Sequence, residues 1–326
     1  MTLLDVRDLS VTFWSGTQPS PVVTDVSLSI GEGEIVGLVG ESGSGKSVTG
    51  LALMGLHDRR VTEIRGSAVL DGKELVGMPE RGLRRMRGSS ISMIFQEPMT
   101  ALDPVDTVGS QLTETIRTHL QVSRAVARDR AVELLTRVGI GDAERRFGAF
   151  PFQMSGGMRQ RVVFALALAC RPRLVIADEP TTAVDVTIQA QLLSLLTDLT
   201  EEVGTAVLLI THDLGVVAEV CQRMYTMYGG RVVESGSTDS VLEVPKHPYT
   251  AGLLGSIPRP GAEGERLSTI PGRVPRPGSI HEGCVFEPRC AFSVPECAVG
   301  EIPLAPMGDG AVRCIRAKDL TLAGAL

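Results

Sequence analysis

Residues 40–47 read Gly40-Glu41-Ser42-Gly43-Ser44-Gly45-Lys46-Ser47, a glycine-rich run closed by a lysine and a hydroxyl. That pattern is a P-loop, in which glycines let successive amides point at phosphate oxygens and the following helix start adds its positive dipole end. Lys46 is then expected to neutralise charge on the β- and γ-phosphates, and Ser47 to offer its hydroxyl to magnesium. A second constellation is Leu174-Val175-Ile176-Ala177-Asp178-Glu179, an apolar run ending in adjacent carboxylates. In an open α/β sheet the carboxyl ends of strands border the ligand crevice, so Asp178 is expected to hold magnesium and Glu179 to polarise the attacking water. Gln96 follows Ile94-Phe95 and His212 follows Ile210-Thr211, which places both at further strand ends on the same sheet edge.

These groups need strands and helices to carry them, and the hydrophobic pattern supplies both. Ile35 to Val39 is a short apolar run of the kind buried in a parallel sheet, followed by glycines and then by a helical stretch from Ser47 to Leu56. Leu174 to Ala177 and Thr205 to Ile210 again read as buried parallel strands. Between them Ile188, Leu192, Leu195, Leu196 and Leu199 mark an amphipathic helix. From Arg124 to Val138, Ala127, Ala131, Leu134, Leu135 and Val138 recur at helical spacing, with Gly139 placed to end the helix. Leu3 to Phe13 and Val22 to Ile30 alternate with period two, and Asp71-Gly72 reads as a hairpin turn between Val69-Leu70 and Glu74-Leu75. Neither a solenoid repeat nor a sustained heptad occurs, which removes repeat-scaffold and filament readings.

Composition narrows the classes further. A chain of 326 residues accommodates one large or two modest domains. Its longest apolar run, Val162 to Cys170, is nine residues, about half of what a bilayer-spanning helix needs. Met1 to Val11 alternates apolar and acidic residues instead of forming a basic-then-apolar leader, so the chain is expected in the cytosol. Net charge is −6 with scattered positive residues, which argues against a nucleic-acid surface. Eleven of the 19 prolines lie between Pro245 and Pro306, so the tail cannot be mostly helix or central strand and a boundary falls near Pro245.

Met154-Ser155-Gly156-Gly157-Met158-Arg159-Gln160-Arg161 opens another apolar helix, making a second anion site too far along the chain to be assigned to this molecule's own nucleotide. Together with the P-loop and the acidic strand, it resembles the signature motif of ATP-binding cassette (ABC) ATPases. The resemblance implies an α/β fold: a RecA-like P-loop NTPase core with an antiparallel β subdomain, an α-helical signature subdomain and a Pro/Cys-rich C-terminal extension. It implies an ATPase domain at 1–245, with the helical subdomain at about 97–170, and an extension at 246–326. Carried over residue by residue, Gly40, Glu41, Ser42, Gly43, Ser44, Gly45, Lys46, Ser47, Val48, Gln96 and Phe13 bind ATP, Phe13 as the aromatic on adenine with Trp14 as its alternative. Glu179, His212 and Lys46 are the catalytic set, with His212 on the γ-phosphate; Ser47, Gln96 and Asp178 hold Mg2+. Ser155, Gly156 and Gly157 cap the ATP of an opposite subunit, and Asp185 belongs to a D-loop, Ala183-Val184-Asp185. Met158 stands where the general pattern has glutamine, a departure seen with the following Arg-Gln-Arg in peptide-importer ATPases.

Phe95 to Pro104 and Lys246-His247-Pro248-Tyr249-Thr250 also resemble the oligopeptide/dipeptide importer ATPases. Physically, His-Pro-Tyr-Thr reads only as a stiff turn. Cys284, Cys290, Cys297 and Cys314 cluster in the tail, where a cytosolic setting disfavours disulfides and a metal is the natural alternative; spacing alone does not choose among zinc, an iron–sulfur cluster and unligated thiols. The resemblance favours [4Fe-4S], in a structural or regulatory role because no motif connects the tail to the nucleotide. The implied assembly is a peripheral ATPase on the cytoplasmic face of the membrane, with a second ABC ATPase subunit, usually a different chain in this subgroup although the sequence itself leaves an identical one open, two transmembrane permease subunits and an extracytoplasmic substrate-binding protein, and no nucleic acid. The implied cargo is di- or oligopeptide, against nickel or another small solute, or a soluble ABC ATPase outside transport.

Overall fold

The computed structural model describes residues 1–96, 101–181, 186–256, 269–275 and 282–324. In chain order the strands are β1 (Thr2–Ser15), β2 (Gln18–Gly31), β3 (Ile35–Val39), β4 (Thr62–Leu70), β5 (Lys73–Glu74), β6 (Ile91–Ile94), β7 (Leu174–Asp178), β8 (Ala206–Thr211), β9 (Arg223–Tyr228), β10 (Arg231–Ser237), β11 (Ala305–Met307) and β12 (Gly310–Val312). Two compact units result: one of Met1, Gly31–Glu34 and Met78–Leu208, the other of Thr2–Ile30, Ile35–Gly77 and Leu209–Leu326.

The first unit is built on β6 and β7, which pair in parallel with Ile91 opposite Leu174 and Ile94 opposite Ala177. Every residue of both strands is buried, as in the mostly apolar runs of strands covered on both faces, with Ser92 and Asp178 as the polar members. The first half of β8 joins them, Ala206 N–H donating to Arg173 O at 2.8 Å. Around this core run the helices Val108–Leu120, Arg124–Arg137, Gly156–Leu168 and Val186–Val203. Thr107 and Ser123 cap the first two, their hydroxyls accepting from Ser110 and Val126 N–H. The buried stripe Ala127, Ala131 and Leu135 matches the sequence period, and Gly139 at φ 76° follows the helix end where only glycine is unstrained.

The second unit holds two sheets. One is ordered β2-β1-β4-β5, and its β4–β5 turn places Asp71 at φ 48° and Gly72 at φ 75°, the paired left-handed geometry that an Asp-Gly hairpin demands. The other runs β11-β12-β10-β9-β3 and ends on the second half of β8. Strands β3 and β9 are parallel, Val36 facing Arg223 and Val39 facing Thr226. The proline-rich tail contributes the far edge: β12 pairs with β10, and Pro306 lies on the outermost strand, where a missing N–H breaks no interior ladder. The expected stiff turn at His247 is instead a helix start. Pro248 occupies the first position of the helix Pro248–Leu254, and His247 Nδ1 accepts from Tyr249 N–H at 3.1 Å, so proline and cap nucleate the turn into a helix.

Candidate nucleotide-binding site

In the second unit the chain leaves β3 at Gly40, where a Cβ would lie 2.1 Å from Met227 O, so no side chain fits between the loop and β9. Gly45, at φ 104°, then turns the backbone into the helix Lys46–Met54, which no side chain caps at its N-terminus. An uncapped start leaves first-turn amides for an anion. Lys46 is buried, and its Nζ donates to Gly40 O at 2.7 Å and Glu41 O at 3.0 Å. Ser44 N–H also donates to Glu41 O at 3.2 Å, and Ser44 O accepts from Gly230 N–H at 2.9 Å, which tethers the loop to the β9–β10 turn.

Two further residues reach this loop, both from the tail that the motif pattern left unconnected to the nucleotide. Tyr249 OH accepts from Glu41 N–H at 2.7 Å. Arg289 grips the Glu41 carboxylate with both nitrogens of its fork, at 2.7 and 3.1 Å. The sequence expectation of a tail without connection is therefore corrected, and His-Pro-Tyr-Thr is more than a turn. No motif spacing could have revealed these partners, which lie 208 and 248 residues from Glu41. Around them Tyr228, Tyr249 and Phe286 pack with centroids 4.6 to 5.3 Å apart.

Also in this unit, exposed His212 follows β8 directly, while Asp213 caps the helix Leu214–Val220 by accepting from Gly215 and Val216 N–H. Phe13 is half-buried near the end of β1 and meets His57 edge-on at 5.3 Å, and His57 Nε2 lies 2.9 Å from Val48 O. Trp14, its alternative, is 39% exposed.

The first unit positions the acidic pair. Asp178 is buried at the end of β7, and Glu179, half-buried, takes φ 46°. A left-handed conformation at a non-glycine residue is strained and concentrates at functional positions. Gln96 Nε2 donates to Glu179 Oε2 at 3.1 Å, so the structure joins these two expected site residues. Gln160, which sequence reasoning did not single out, donates from Nε2 to the buried Pro180 O at 2.7 Å and so braces the turn after Glu179. Ser155 caps the helix Gly156–Leu168, its Oγ accepting from Met158 N–H at 3.3 Å; beside it exposed Gly156 has open space where a Cβ would stand. Asp185, with Ala183 and Val184, lies outside the described residues, as do residues 97–100 of the Phe95 to Pro104 segment.

Ser47 in the second unit, and Gln96 and Asp178 in the first, each carry an oxygen donor of the hard type that magnesium takes. The tail cysteines are a different case. All four are unbridged and line one cavity with His247 and Phe286. Burial pushes the Cys284 thiol up to about 11 and raises Cys290 and Cys314 as well, so on their own they are neutral thiols, which a bound metal ion would deprotonate. Among the described residues no group of three His, Cys, Asp or Glu side chains is arranged to hold a metal ion.

Comparison with known proteins gives concordant results. The ABC transporter family profile matches residues 23–182, and the profile of the oligopeptide/dipeptide transporter C-terminal region matches residues 233–297. The chain is 48% identical to the oligopeptide transport ATP-binding protein AppD of Bacillus subtilis (strain 168), covering 96% of each chain. It is 48% identical to the oligopeptide transport ATP-binding protein OppD of Escherichia coli (strain K12), over 91% of this chain and 88% of that one. Among solved structures it resembles the ATP-binding cassette MJ0796, a dimer in a post-hydrolysis state bound to ADP and Pi, with a TM-score of 0.65 and 28% identity over 72% of this chain and 98% of that one.

Gly40→Ala is expected to cost about 3 kcal/mol in thermal unfolding, because the obstruction is backbone that cannot step aside. ATP titration of the same variant should give no saturable binding. Gln160→Ala should cost about 2 kcal/mol by orphaning the buried Pro180 carbonyl. Its turnover should fall while ATP affinity is kept, as measured by steady-state kinetics beside nucleotide titration.

Proposed function

The chain belongs to the ABC transporter family, on its oligopeptide/dipeptide transporter branch, and we propose that it is the ATP-hydrolysing subunit of an importer for di- or oligopeptides. The observation that carries this reading is the match to the ABC transporter family over residues 23–182 together with the match to the oligopeptide/dipeptide transporter C-terminal region over residues 233–297, on one chain. Residues 1–245 are then the ATPase domain and 246–326 its extension.

Phosphoryl transfer asks a protein chiefly for positioning and charge stabilisation. Residues 40–48 supply the cradle, with Phe13 against adenine. Lys46 exchanges its loop carbonyls for the β- and γ-phosphates, an exchange of acceptors that keeps a buried ammonium satisfied throughout. Glu179 orients and polarises the attacking water; its hydrogen bond from Gln96 and its strained backbone support that role. His212 contacts the γ-phosphate. Ser47, Gln96 and Asp178 would hold magnesium, which would neutralise phosphate charge when bound. Ser155, Gly156 and Gly157, at a capped helix start, cover the nucleotide of a partner cassette, with Asp185 beside that interface.

No helix among the described residues is long and apolar enough to cross a membrane. On this reading the passage for cargo belongs to permease partners, and the chain works peripherally on their cytoplasmic side. A second, different cassette, two permease subunits and an extracytoplasmic binding protein complete the assembly, in which closure of two cassettes around ATP drives the permease. We further propose a metal-ligating role for the four tail thiols, [4Fe-4S] before zinc, supported by their shared cavity alone; the hydrolytic reaction is derived without it.

In the assembled transporter, Glu179→Gln should retain ATP binding while turnover drops about 100-fold, as followed by phosphate release. Lys46→Ala should weaken ATP binding itself by roughly tenfold or more in equilibrium titration. Full turnover in the first variant, or unaltered affinity in the second, contradicts these roles.

A further inference from the structure

Glu41 is held at three points. Its amide donates to Tyr249 OH at 2.7 Å, its carbonyl accepts from Lys46 Nζ at 3.0 Å, and its carboxylate takes the two-pronged grip of Arg289 at 2.7 and 3.1 Å. A surface P-loop residue would ordinarily leave its side chain in water. Here the gripping guanidinium is only 6% exposed, against 30% for the carboxylate. Its remaining donors are used as well: Nε goes to Pro271 O at 2.7 Å, Nη1 to Tyr228 OH at 3.3 Å and Nη2 to Ile270 O at 3.4 Å. The guanidinium carbon stands 5.6 Å from the Tyr228 ring centroid. Such a saturated, stacked and buried fork has one geometry, and it points a fixed charge at the cradle. The Glu41 carboxylate and the hydrogen bond it accepts hold the Arg289 charge more firmly than water would, and burial keeps the Tyr249 hydroxyl protonated.

We infer that Arg289, with Tyr249, is a positioning residue of the ATP site: the C-terminal extension sets the place of Glu41, and thereby of the carbonyl from which Lys46 reaches the phosphates. Arg289 touches no nucleotide in this arrangement and acts through Glu41. Its effect therefore falls on nucleotide affinity and not on the chemical step. The extension becomes part of the ATP site, and Cys290, peptide-bonded to Arg289, ties the thiol cavity to the same clamp. This inference rests on reading residues 40–47 as the ATP cradle.

The test is steady-state ATP hydrolysis by the assembled transporter carrying Arg289→Gln, Arg289→Lys, Glu41→Gln, the Arg289→Gln/Glu41→Gln pair, or Tyr249→Phe. Arg289→Gln and Glu41→Gln should each raise KM for ATP about tenfold with kcat within about twofold of the parent, the signature of lost binding with an intact chemical step. The double variant should be no worse than either single one, because the two residues act as a unit. Lysine at 289 keeps the charge but not the fork, so it should recover part of the loss. Tyr249→Phe removes one hydroxyl and keeps the ring packing, so it remains informative if Arg289→Gln does not assemble; it should raise KM in the same direction. Unchanged KM in Arg289→Gln or, where that variant fails to assemble, in Tyr249→Phe overturns the inference, as do additive effects in the double variant or a loss confined to kcat. If the parent complex itself fails to bind ATP, the cradle reading fails instead, and the two failures are thereby told apart.

Discussion

The nucleotide cradle depends on satisfying one buried ammonium group. Lys46 is 5% exposed, and a buried cation without acceptors would cost several kcal/mol. Its acceptors are the carbonyls of Gly40 and Glu41 in its own loop, which must therefore fold back over the helix start. That fold requires the chain to pass Met227 O more closely than any Cβ permits at Gly40. Strand β9, which supplies Met227, is the parallel neighbour of β3, from which the loop departs. The same constraint thus selects a loop whose Gly40 and Glu41 carbonyls both face the lysine.

The C-terminal extension enters that constraint directly. Its β12 continues the second unit's sheet beyond β10, and its aromatic residue Phe286 packs against Tyr228 and Tyr249. Buried Glu234, on β10, accepts from Lys246 and His247 N–H at 2.5 and 3.0 Å and fixes the start of the helix that carries Tyr249. Burial raises this carboxyl above its ordinary range, so the two amides are what let it be accommodated there at all. Sheet edge, aromatic cluster and buried carboxyl together give Arg289 and Tyr249 the rigidity that a clamp on Glu41 needs.

Local chemistry was legible in the sequence, and remote chemistry was not. The cradle, the acidic strand end and the Asp71-Gly72 hairpin are each written in a few adjacent residues whose backbone demands are local. The end of β7 and the position of Gln96 were legible as strand ends, although nothing in spacing announced the left-handed Glu179 or the hydrogen bond that joins them. His247-Pro248-Tyr249 was misjudged as a turn, because a proline at the first position of a helix and a proline in a turn share the same φ. Arg289 lay beside Cys290 and drew attention only through the cysteine, while its partner stands 248 residues away. Four cysteines in a tail expected in the cytosol point to a metal; among the described residues they share a cavity, and no group of three ligating side chains is arranged to hold an ion.

The chain joins a match to the ABC transporter family to one with the oligopeptide/dipeptide transporter C-terminal region, and the proposed function ties its hydrolysis to uptake through a permease. The most direct measurement is ATP turnover by the chain reconstituted with its permease subunits, partner cassette and binding protein, with dipeptides, longer peptides or nickel complexes supplied in turn. The account predicts that turnover rises when one peptide class is supplied and not with nickel. A complete complex with healthy basal turnover that no peptide stimulates would contradict it.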